Sequence, residues 1–140
     1  GEMFQVDMKL RDAKPHDFDA LVIPGGVINS DHLRADADAI RFIHAFMVAG
    51  KPVAAICHAP WVLIDTHDVK GRTMTAAKTV RIDLADAGAH DVDRELVVDG
   101  NLITSRGRDD LPAFCDQLVK MALGTVPDRV PEPAMYSALP

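Results

Sequence analysis

The chain has 140 residues, enough for one hydrophobic core and too few for two independent ones, so a single domain is expected. Its 48% hydrophobic and 26% charged residues are those of a globular protein, and no apolar run approaches the roughly 20 residues that span a bilayer, so no membrane partner is expected. The net charge of −6, with Lys and Arg scattered, argues against a nucleic-acid partner, which needs a basic face.

The N-terminus shows no basic, apolar and cleavage-site succession, so no secretory signal is read and a cytoplasmic location is expected. The two cysteines, Cys57 and Cys115, sit in different contexts and do not suggest a disulfide framework, so reduced thiols are expected.

Residues 3–10 alternate in part and read as a strand; Lys14-Pro15 makes a turn, and residues 19–23 read as a second, more buried strand ended by Pro24-Gly25-Gly26. Residues 31–49 follow a helical pattern, with Ile40, Ile43 and Met47 on one face and Gly50 as the stop. Asp31 is the expected N-cap of that helix. Residues 52–56 read as a strand that is β-branched at Val53 and Ile56 with small residues between, which suits a central strand covered on both faces.

At Cys57 the strand stops and a helix begins near His58, with residues 60–64 helical and Pro60 tolerated in the first turn. Residues 72–75 read as a short strand, and 79–87 as a helix stopped by Gly88. Residues 95–99 and 102–104 flank Gly100-Asn101, a hairpin signal. The last helix starts near Asp109 with Leu111, Phe114, Leu118 and Met121 as its apolar stripe and ends at Gly124. Residues 1–124 are thus the expected domain. Pro127, Pro131, Pro133 and Pro140 mark 125–140 as a proline-rich tail. Alternating strands and helices predict an α/β fold with a mostly parallel sheet and a site at the carboxyl ends of its strands.

Cys57 is the informative residue. A thiol at a strand-to-helix switch meets unpaired backbone N–H groups and the positive end of a helix dipole, both of which favour the reactive thiolate. His58 beside it is the type of base that an activated thiol requires, provided the turn brings the side chains together. A surface histidine in a turn accounts for the same sequence. Cys115, on a helical pattern without basic neighbours, reads as a small apolar residue. Gly25-Gly26 is a turn or part of an oxyanion hole, whose backbone N–H groups would join that of His58. Asp31 is also the type of carboxylate that orients a catalytic histidine. The remaining histidines show no ligand-like pairing, so no metal is expected, and no third glycine follows Gly25-Gly26 at the spacing of a dinucleotide fingerprint, so no cofactor is expected either. Asp109-Asp110 reads as a helix start.

Asp19-Ala-Leu-Val-Ile-Pro-Gly-Gly26, Ala54-Ala-Ile-Cys-His-Ala-Pro60, Gly71-Arg72, Asp86-Ala-Gly-Ala89, Val97-Val-Asp-Gly-Asn-Leu-Ile-Thr-Ser-Arg106 and Asp110-Leu-Pro-Ala-Phe114, in this order, resemble the PfpI family. These are intracellular cysteine peptidases and related protein deglycases of the class I glutamine amidotransferase-like superfamily. The resemblance implies a flavodoxin-like three-layer sandwich with Cys57 as an elbow nucleophile, His58 as its partner, and the Gly26 and His58 amides as oxyanion hole. It also implies that Asp31 orients the histidine of a neighbouring subunit, so a homo-oligomer, dimer or higher, would be part of the site.

Members of that family usually carry one more strand–helix–strand stretch ahead of the matched region, with a glutamate that hydrogen-bonds the thiol; Glu2 does not match it. A parallel sheet without that stretch exposes an edge. Relatives also place an aromatic residue and a proline where this chain has Ala76-Ala77-Lys78. The expected function is a cysteine hydrolase acting on peptides or on carbonyl adducts. The alternatives are a stress-response protein that senses oxidants through a reactive cysteine and, more weakly, a glutamine amidotransferase-like subunit.

Overall fold

The computed structural model describes residues 2–124; the expected tail at 125–140 lies outside the described residues. Four strands form one sheet in the order β1 (Leu21–Ile23), β2 (Val53–Ile56), β6 (Leu102–Ser105), β5 (Val97–Asp99), parallel except for the β5–β6 hairpin around Gly100-Asn101. A second, two-stranded parallel sheet pairs β3 (Thr73–Met74) with β4 (His90–Asp91).

β2 lies at the centre and is buried along its whole length, as its β-branched ends and small middle predict. Its side chains alternate between two cores. Val53 and Ala55 face Ile43, Phe46, Leu63, Val80 and Leu84, whereas Ala54 and Ile56 face Ile103, Phe114 and Met121. Helices α2 (Ala37–Ala49), α3 (Val62–Asp65) and α4 (Lys78–Asp86) supply the first set; in the second, Ile103 comes from the neighbouring β6, and Phe114 and Met121 come from α5 (Leu111–Ala122). This is the three-layer, mostly parallel α/β sandwich of the flavodoxin-like type.

Four local expectations are corrected. Residues 3–10 form no strand: Met3, Phe4 and Val6 stand exposed and Leu10 opens a 3-10 turn, Leu10–Asp12. A strand exists only through hydrogen bonds to a neighbour, and among the described residues none runs alongside this segment. The single helix expected over 31–49 is two, α1 (Val27–Ala35) and α2, because the extended Asp36 between them caps α2 by accepting hydrogen bonds from the N–H groups of Asp38 (2.8 Å) and Ala39 (3.2 Å).

Asp31 consequently lies inside α1 and is not its N-cap; Gly26 holds that place, with φ +103°. The chain leaves β1 so sharply that the helix starts four residues earlier than its apolar pattern suggests, a turn that favours glycine. Finally, Cys115 is exposed, not packed in the core, since the buried contacts of α5 are made by Phe114 and Met121.

Candidate active site

β1, β2 and β6 all end at the same edge of the sheet, and the loops that follow them converge there. At the end of β2, Cys57 adopts φ +65°, in the left-handed region that a residue with a Cβ rarely enters. Such a conformation costs on the order of 1–3 kcal/mol and is held by its surroundings. Here the Cys57 N–H donates to Ser105 O (3.0 Å), and Cys57 O accepts from the Ala77 N–H (2.8 Å). The sharp strand-to-helix turn has the shape of a nucleophile elbow, and a 3-10 turn, Ala59–Trp61, carries the chain on into α3.

The elbow brings the adjacent side chains together. Cys57 Sγ lies 3.1 Å from His58 Nδ1, and both residues are half-buried. That is proton-transfer distance, so the neutral imidazole can accept the thiol proton directly. On its other side, His58 Nε2 faces Thr79 Oγ1 at 3.4 Å. Gly25 presses against the thiol: a Cβ there would meet Cys57 Cβ at 2.7 Å, Ile56 O at 3.0 Å and Cys57 Sγ at 3.5 Å. The glycine pair after β1 is thus required twice, Gly25 for close approach and Gly26 for its positive φ. Asp31 is brought near no such contact; it is exposed on α1 and makes no hydrogen bond to His58 among the described residues.

Two features beside the elbow lay beyond local sequence reading. Fully buried hydroxyls of Thr75 and Ser105 have no hydrogen-bond partner among the described residues, although a buried orphan polar group costs about 1–3 kcal/mol. The second is the ion network that closes the loop after β6. Arg106 donates from its backbone N–H and Nε to Asp110 Oδ2 (2.9 Å each), from Nη2 to Asp110 Oδ1 (2.9 Å), and from Nη1 to Asp93 Oδ1 (3.0 Å). Arg81 Nη1 joins Asp93 at 3.0 Å. Asp110, expected only as a helix-start residue, is buried and anchors the segment that follows Ser105, the residue whose carbonyl registers Cys57.

Hydrogen bonds from Arg106 hold the Asp110 carboxyl below the usual carboxylate range, against the opposing effect of its burial. A carboxylate with a lowered folded-state pKa contributes stability above its unfolded value and loses it as the pH falls. Asp110→Asn is expected to cost about 1.5–3 kcal/mol at pH 7. The gap between variant and wild type should narrow below about pH 4. Urea midpoints at pH 7 and pH 3.5 measure this; a gap independent of pH would show that the charge contributes nothing.

No group of three or more His, Cys, Asp or Glu side chains among the described residues is arranged to hold a metal ion. No described helix is long and apolar enough to cross a membrane.

The fold agrees with what comparison with known proteins finds. Residues 1–121 match the model of the DJ-1/PfpI family. The chain belongs to the DJ-1/PfpI family. It is 51% identical over 122 residues to an uncharacterized protein of Staphylococcus aureus (strain Mu50), a match covering 86% of this chain and 71% of that protein.

Among DJ-1/PfpI structures, it superposes on a two-domain protein of Anabaena variabilis containing DJ-1/ThiJ/PfpI-like and ferritin-like domains. The TM-score is 0.79 and the identity 40%, over 85% of this chain and 34% of that one. It also superposes on Drosophila melanogaster DJ-1beta, with TM-score 0.78 and 30% identity, over 84% of this chain and 63% of that one. The chain therefore spans about a third of the first of these structures and under two thirds of the second.

Proposed function

We propose that this DJ-1/PfpI member is a cofactor-independent cysteine hydrolase of PfpI type. Its substrates would be carbonyl compounds, either peptide bonds or the adducts that aldehydes such as methylglyoxal leave on proteins. The observation that carries this reading is the 3.1 Å approach of Cys57 Sγ to His58 Nδ1 at the positive-φ elbow. Nδ1 takes the thiol proton, Sγ forms a bond to the carbonyl carbon, and the carbonyl π pair moves to oxygen. The oxygen pair then re-forms the carbonyl as the bond from that carbon to the leaving group breaks and His58 gives the leaving group its proton. Water adds to the sulfur-bound carbon, passing a proton to His58, and the C–S bond breaks with its electron pair returning to sulfur, which takes the proton back from His58. The Gly26 and His58 amides are the candidate donors for the developing oxyanion, an interaction worth about 3–4 kcal/mol in enzymes that use one.

Asp31 enters the reading through a second subunit. It shares the solvent face of α1 with Val27 and Ile28, which are 52% and 73% exposed. An apolar pair beside a carboxylate is a surface that a second copy of the chain would cover, placing Asp31 at the partner's site.

The test supplies the purified protein with methylglyoxal-modified N-acetylarginine and, separately, with a fluorogenic peptide. Turnover of one of them is expected, and Asp31→Ala should lower it if a second subunit completes the site. No turnover of either, together with gain of one oxygen at Cys57 under mild peroxide, would replace the hydrolase with the oxidant sensor. Ammonia release from glutamine would point to the amidotransferase.

A further inference from the structure

We propose that Thr79 is a positioning residue for His58, holding the imidazole toward Cys57 from within the same chain. This deepens the function above and rests on its pairing of Cys57 with His58. The two ring nitrogens of His58 each face one partner: Nδ1 lies 3.1 Å from Cys57 Sγ, and Nε2 lies 3.4 Å from Thr79 Oγ1.

For Nδ1 to accept the thiol proton, the neutral ring must carry its single hydrogen on Nε2. The other nitrogen's hydrogen bond decides which tautomer is present. Thr79 Oγ1 can accept that Nε2–H. After the proton moves from Sγ to Nδ1, the imidazolium still donates Nε2–H to the same oxygen, so one hydroxyl serves both states and itself gains or loses no proton. Contacts of this kind are often long in an unliganded site and tighten when charge develops.

Thr79 is held where the role needs it. It is the second residue of α4, a helix docked by the buried Val80 and Leu84 and tied to the elbow through Ala77 N–H and Cys57 O. Two residues on, Arg81 reaches Asp93 at 3.0 Å and joins the Arg106 network. The β-branched threonine has few rotamers in a helix, which limits where its hydroxyl can point. A carboxylate usually occupies this position behind a catalytic histidine, and within this chain Asp31 makes no such contact.

The experiment measures the iodoacetamide alkylation rate of Cys57 at pH 7 in the full 140-residue chain, on a Cys115→Ala background so that one thiol reports. Wild type, His58→Ala, Thr79→Val and Thr79→Ser are compared, each with a thermal melt. Thr79→Val, isosteric but without the hydroxyl, should slow alkylation about two- to tenfold, with Thr79→Ser returning it to within about twofold of wild type. Slowing by His58→Ala but not by Thr79→Val would overturn the proposal while leaving the Cys57–His58 pair intact. A Ser variant as slow as the Val variant would overturn it too, since the hydroxyl would not be the operative group. If His58→Ala itself alkylates at the wild-type rate, the pairing fails and this proposal falls with it.

Discussion

Cys57→Ser is expected to lower turnover by at least about a thousandfold, equivalent to about 4 kcal/mol of lost transition-state stabilisation, while leaving the thermal midpoint close to that of wild type. The exchange replaces one sulfur by one oxygen at a half-buried position, so the elbow hydrogen bonds to Ser105 and Ala77, which are all backbone, are untouched. What changes is the nucleophile. A hydroxyl is far harder to ionise than a thiol, and the His58 nitrogen placed to take the proton has a poorer donor to work on. Turnover and a melt on the same preparation decide it: more than about a tenth of wild-type turnover would remove Cys57 as the nucleophile.

Gly25→Ala is the second large effect, because here function and packing are set by one contact. The new methyl would stand 2.7 Å from Cys57 Cβ and 3.0 Å from Ile56 O, and neither is the free end of a flexible side chain. Relief requires the loop after β1 or the elbow itself to shift. Overpacking of this kind costs typically about 1–3 kcal/mol, or a fall in Tm of roughly 5–10 °C for a domain of this size.

Displacing the elbow also moves Sγ relative to His58 Nδ1, and misplacement by about 1 Å costs on the order of a hundredfold in rate. Both losses should therefore appear together. An alanine variant with unchanged melt and unchanged Cys57 alkylation would show that the glycine pair is only a turn. Gly26→Ala should strain the backbone without that clash, since its φ of +103° is costly for alanine while its nearest neighbour beyond the loop, Asn29 Cβ, is 3.7 Å away.

Much of this was legible in the linear sequence. The run Val53-Ala-Ala-Ile56 announced a central strand because only a strand covered on both faces is apolar at every position, and the Gly100-Asn101 pair announced the hairpin by its turn chemistry. The Cys57-His58-Ala59-Pro60 switch announced the elbow. Where reading failed, a signal of different range competed. The helical period from residue 31 onward hid the cap at Asp36, a short-range hydrogen-bonding preference that broke the helix in two. The alternation in residues 3–10 was genuine, yet alternation describes a segment's faces and says nothing of whether a neighbouring strand is present to pair with it.

By itself, then, the sequence determined the alternation of strands and helices, the central strand, the position of the thiol at its end, and the family to which the chain belongs. The first three depend on residues within a few positions of one another, and the family on the order of several such short runs along the chain. Only the tertiary structure decided that Gly25 abuts Cys57, that Thr79 stands behind His58, and that Arg106 bridges Asp93 and Asp110 beside the elbow. Apart from the i,i+4 link of Arg106 to Asp110, these contacts join residues 13 to 32 positions apart, as the bond and approach partners themselves show. Propensity and period act along the chain, whereas such contacts are set by the order in which parallel strands lie side by side and by the helices packed between them.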